Sequence, residues 1–134
     1  MTGRINMDNI EAVKAVFDSW DAAYDEMGGN TLAVTLPDNR MFFVMCVGDV
    51  IELGLCRPDF YKRMDARRMT LAGRKAAAKH PHIDFNGSGR EPMFGAALES
   101  DSTTSVPEMS VAMKGLLKDM VEAIDEFDKA LRIK

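Results

Sequence analysis

The sequence predicts an α+β fold: a three-stranded antiparallel meander packed with an N-terminal helix, a basic middle helix and a long C-terminal helix. Three observations carry that reading. Helical apolar spacing of three and four residues opens and closes the chain, period-two alternation fills residues 31–55, and turn residues separate the two patterns. At 134 residues the chain fits one domain, 1–134, with a long loop over 81–104.

The first helix is expected from Asp8 to Met27. Asp8 is placed as N-cap with Glu11 three residues on, and Ile10, Val13, Phe17, Trp20, Tyr24 and Met27 form one stripe. Gly28-Gly29-Asn30 stops it. Three strands follow, Thr31–Leu36, Arg40–Val47 and Val50–Leu55. A Gly48-Asp49 hairpin turn pairs Cys46 with Ile51, Val44 with Leu53 and Phe42 with Leu55, all on one face. If the Pro37-Asp38-Asn39 loop has three residues, Leu32, Val34 and Leu36 join that face. The other face still carries Met41, Phe43, Met45, Val47 and Val50, so a second cover is expected, a helix or another subunit. Cys46 and Cys56 fall on opposite faces, which excludes a disulfide between them and suits a reducing cytosol.

The middle helix runs from Pro58 or Asp59 to Lys79, with Pro81 closing it and Gly73 weakening it by about 1 kcal/mol relative to Ala. Residues 57–79 hold eight of the seventeen basic residues and two acids, a net +6; the rest of the chain is −10. Such gathering of positive charge suits an anionic ligand or partner, or packing against the chain's own acidic helices. On a helical projection Arg63, Arg67 and Arg74 edge one side of a Phe60–Met64–Leu71 strip, and Arg68, Lys75 and Lys79 edge the other. Basic rails beside an apolar strip can hold a nucleotide, a nucleic acid or an acidic protein surface. Equally, they are how a packed helix meets water. Phe60, Arg63, Arg67, Arg68, Arg74 and Lys75 are therefore the candidate binding residues.

The 81–104 stretch has no clear period. Ser105-Val106-Pro107-Glu108 then opens the last helix with a capping box, and Met113, Leu117, Met120, Ile124, Phe127 and Leu131 form its seam. The two helical seams and the two-sided sheet together expect a homodimer or higher oligomer.

No nucleophile, base and orienting acid fall into a recognisable pattern, so no enzyme is expected. His80-Pro81-His82 lacks a second paired ligand cluster, so neither metal nor cofactor is expected. The Asn86-Gly87-Ser88-Gly89-Arg90 loop lacks the strand and Lys-Ser/Thr ending of a phosphate cradle. The sequence shows neither a secretory signal nor an apolar run of about 20 residues, which predicts a cytoplasmic protein with no membrane partner. Eleven methionines favour an adaptable binding surface.

Gly54-Leu55-Cys56-Arg57-Pro58-Asp59-Phe60-Tyr61-Lys62-Arg63, followed by Arg67-Arg68-Met69-Thr70-Leu71-Ala72-Gly73-Arg74, resembles a pattern in small uncharacterised proteins of bacteriophages and mobile elements. The chain is one residue short of it between Pro58 and Phe60. The resemblance implies a phage-type accessory binding protein of the host cytoplasm, an inhibitor or sponge acting against host defence. The alternative is an acidic dimeric chaperone or adaptor, similar in size and acidity to secretion chaperones, whose basic helix is purely structural.

Overall fold

A computed structural model describes residues 9–37, 39–56, 65–86, 93–100 and 104–131. Among these residues three helices and six strands follow in the order α1 (Asn9–Ser19), β1 (Asp25–Gly28), β2 (Thr31–Thr35), β3 (Met41–Val47), β4 (Val50–Cys56), α2 (Ala66–Ala78), β5 (Asp84–Asn86), β6 (Met93–Glu99) and α3 (Val106–Ala130). The strands form one antiparallel sheet in the order β1-β2-β3-β4-β6-β5. The fold is α+β with a long C-terminal helix, and the expected meander is its centre.

The meander has the expected register. Cys46 lies opposite Ile51, Val44 opposite Leu53 and Phe42 opposite Leu55. Leu32 and Val34 face Val44 and Phe42, because the loop before β3 is the three-residue kind, with Asn39 at φ 67°. Each inward row continues into β6: Leu53 meets Ala96, Leu55 meets Phe94, and Ile51 meets Leu98. These residues bury against Val13, Val16 and Phe17 of α1 and against Met109, Met113, Met120, Ile124 and Phe127 of α3. Phe85, Phe94 and Phe127 meet in a cluster with centroids 5.0–5.5 Å apart. Capping of α3 is as the sequence expects, with Glu108 N donating to Ser105 Oγ and Ser105 N to Glu108 Oε1.

Three expectations are corrected. The first helix ends at Ser19 instead of Met27: Asp21 adopts φ 55°, and Ala22 N and Asp21 N donate to the carbonyls of Phe17 and Asp18, a Schellman closure. Tyr24 and Met27, which extend the helical stripe in sequence, belong to the approach to β1 and to β1 itself. The 81–104 stretch contains β5 and β6, and together with β1 they raise the strand count among the described residues from three to six. Small residues hide β6: Gly95, Ala96 and Ala97 have weak strand preference, and pairing along β4 is what fixes them. The buried face of α2 is Met69, Ala72, Gly73 and Ala76, while Leu71 is 59% exposed. The helix itself starts at Ala66 and not at Pro58 or Asp59, because Asp65 is its N-cap with extended backbone at φ −64° and ψ 120°. Phe60 and Met64, the other members of the expected strip, and the Asp8 cap lie outside the described residues.

Candidate partner-binding surfaces

All three helices pack on the same face of the sheet. The other face carries, row by row across the strands, Thr31–Met45–Glu52–Ala97, Ala33–Phe43–Gly54–Gly95 and Thr35–Met41–Cys56–Met93. Among the described residues no helix covers it. Val47 is 53% and Met45 38% exposed, Met41, Phe43, Val50 and Met93 are half-buried, and Ala33, Gly54 and Cys56 of the same rows are buried. Gly54 and Gly95 sit side by side in central strands, in the same row as Phe43. The Met93 thioether lies over Gly54, where a Cβ would come within 2.5 Å of its sulfur. This surface is apolar, sulfur-rich and two-sidedly flanked by strands, the kind of surface that adapts to different apolar side chains.

The basic helix offers a second surface. Asp65 caps it by accepting from Arg67 N at 2.9 Å. Arg67, Arg68, Arg74 and Lys75 are all exposed, so the described members of the candidate set point away from the core. Arg68 is the exception in use: its Nη2 donates to Leu131 O at 3.3 Å, at the C-terminal end of α3, where a cation is favoured by the helix dipole. Lys79 pairs with Glu126 of α3 at 3.1 Å. Among the described residues no ion pair engages Arg67, Arg74 or Lys75, and Leu71 stands exposed between them. Arg63 and Phe60 lie outside the described residues.

The cation that α3 does take inside is Arg40. It is 6% exposed, its Nη2 bonds Asp125 Oδ1 and lies 3.4 Å from Asp128 Oδ2, itself buried. The signal was present in sequence, since Arg40 precedes Phe42, Val44 and Cys46 in the same inward alternation. A third feature is an apolar cleft of about 550 Å³ bounded by Phe17, Trp20, Leu36, Leu117 and the rim lysines Lys114 and Lys118. Trp20 Nε1 donates to Ser110 Oγ at 2.7 Å, which pins α1 to α3 beside it.

No protein-family model matches the chain, and no curated protein matches it in sequence. Solved structures match it in fold. YbjN, a candidate transcription regulator from E. coli, is 10% identical over 92% of this chain and 93% of its own, with a TM-score of 0.63. A chain of the HopA1–SchA chaperone–effector complex is 13% identical over 87% of this chain and 95% of its own, with a TM-score of 0.52. The likeness is one of fold. No helix among the described residues is long and apolar enough to cross a membrane.

Proposed function

We propose that the chain is a protein-binding module of the chaperone or adaptor kind, with no catalytic step of its own. It holds an apolar segment of a partner protein against the helix-free face of its sheet. The observation that carries this reading is the apolar outer face built by Met41, Phe43, Met45, Val47 and Met93, which the chain's described helices leave open. The likeness of fold to a chaperone–effector complex supports it. So does the acidic balance of the chain, −4 overall, which keeps a sheet with exposed apolar rows soluble. A second copy can cover the same rows, which accommodates a homodimer that opens or remains paired as the partner binds. The test is capture of apolar peptides from an array by the wild type and by a Met45→Asp/Val47→Asp variant, with light scattering on both. The reading expects the variant to melt as the wild type does and to lose capture. Undiminished capture by the variant defeats it. Loss of self-association alone, without any peptide capture by the wild type, reassigns the face to a dimer interface.

A second reading rests on a separate observation, the solvent-facing Arg67, Arg74 and Lys75 around Leu71. This face suits an acidic protein surface or the phosphates of a nucleotide or nucleic acid. A phage-type inhibitor or sponge acting on host defence would use it. Wild-type binding to a panel of such anions, lost at high salt and in Arg67→Glu/Arg74→Glu, supports this second role.

A further inference from the structure

We propose that His80, Asp119 and Glu122 form a binding site for a divalent transition-metal ion of the zinc type. One ligand atom from each of the three lies within 4.8 Å of the other two. The three come from two elements. Asp119 and Glu122 are three residues apart on α3, so both carboxylates leave the same face of the helix. His80 follows the last turn of α2 and is fixed on both sides, its own N–H donating to Ala77 O and its carbonyl accepting from Ile83 N, both at 2.9 Å. Ile83 is buried, so the backbone that carries the imidazole is anchored in the core.

Charge points the same way. The nearby cation Lys79 is taken by Glu126, one turn beyond Glu122. Among the described residues no cation pairs with Asp119 or Glu122, which leaves two carboxylates beside an imidazole. Together they neutralise a dication. One nitrogen and two oxygens with open positions suit zinc or a neighbouring transition ion completed by water, and the imidazole disfavours magnesium and calcium. Bonds of about 2.1 Å in a tetrahedron place ligand atoms about 3.4 Å apart, so a bound ion would draw the three closer than the 4.8 Å within which they now lie. His82, two residues on and exposed, is outside the group. The bound ion would tie the C-terminal end of α2 to the middle of α3.

The experiment is calorimetric titration of the full chain with zinc chloride, read beside the melting temperature with zinc and with chelator. One ion per chain is expected, with a higher melting temperature when it is bound. His80→Gln and Asp119→Asn should each weaken binding by about tenfold or more, and His82→Gln should leave it within about twofold. Circular dichroism without metal checks the fold of each variant. Should His80→Gln unfold, Glu122→Gln, at an exposed side chain, carries the test instead. Cobalt in place of zinc should give no thiolate charge-transfer band, because Cys46 and Cys56 are elsewhere, in the sheet. Zinc binding that survives His80→Gln or Glu122→Gln unchanged, that depends on His82, or that shows thiolate ligation would overturn the assignment.

Discussion

The ring of Phe85 lies so close to Gly73 that a Cβ at that position would come within 2.4 Å of two ring carbons. Glycine in a helix interior costs about 1 kcal/mol relative to alanine, and here it is kept because α2 must approach β5 closely. Phe85 cannot easily yield, since it is packed against Phe94 and Phe127 at 5.0 and 5.4 Å. Gly73→Ala should therefore lower stability by about 1–2 kcal/mol, overpacking outweighing the gain in helix preference. A urea midpoint that rises would show that helix preference wins.

Arg40 and its two aspartates should behave unequally. Arg40→Ala leaves the buried Asp128 carboxylate without this cation and should cost about 3–5 kcal/mol. Asp125 has a 60% exposed side chain, so Asp125→Asn should cost less than about 1 kcal/mol. Asp128→Asn should fall between the two. Equal losses for the two aspartates in chemical denaturation would contradict this burial-based ranking.

The exposed arginines should be almost silent in stability. Arg67→Glu and Arg74→Glu face solvent and should shift unfolding free energy by less than about 0.5 kcal/mol each. Unfolding of either variant would return α2's basic face to a structural role.

Burial raises the pKa of the Cys46 thiol above its ordinary value of 9.0. The unfolded chain therefore loses this proton before the folded chain does. The stabilisation is complete below the unfolded pKa and is lost as pH rises through and beyond about 9. Melting temperature should fall with alkaline pH more steeply in the wild type than in Cys46→Ala. Both cysteines are buried and neither is in a disulfide. Thiol titration should thus count two thiols on denaturation and react slowly before it.

The meander was readable because one alternating pattern, one Gly-Asp turn and one three-residue loop admit a single register with every apolar row inward. β1 was not, because Tyr24 and Met27 continue the helical spacing of α1, and only the backbone reversal at Asp21 ends the helix. On α2 the size of side chains misled: Leu71 is large and apolar yet exposed, and the buried residues beside Met69 are Ala and Gly, because Phe85 supplies the bulk from the opposite element. Likewise the spacing of Asp119 and Glu122 is visible in sequence, but their meeting with His80 depends on how α2 lies along α3. The open sheet face was legible as an excess of apolar residues. Which side the helices take is a tertiary fact that no local pattern encodes.

Strand order carries a consequence for how the chain assembles. β1 to β4 are joined by tight turns and pair in sequence, whereas Gly54 meets Gly95 across β4–β6 only after the segment holding α2 and β5 has been looped out. Closing that loop takes conformational entropy before any contact compensates it. We expect the first four strands to gather early and the β4–β6 seam to set the pace. Leu98→Ala in β6 should slow refolding more than Thr31→Ala in β2 at equal loss of stability, and equal rates would place the slow step elsewhere. A newly made chain would thus hold a half-built sheet with Ile51, Leu53 and Leu55 bare along its last strand until β6 arrives, an interval in which neighbouring chains compete for the same edge.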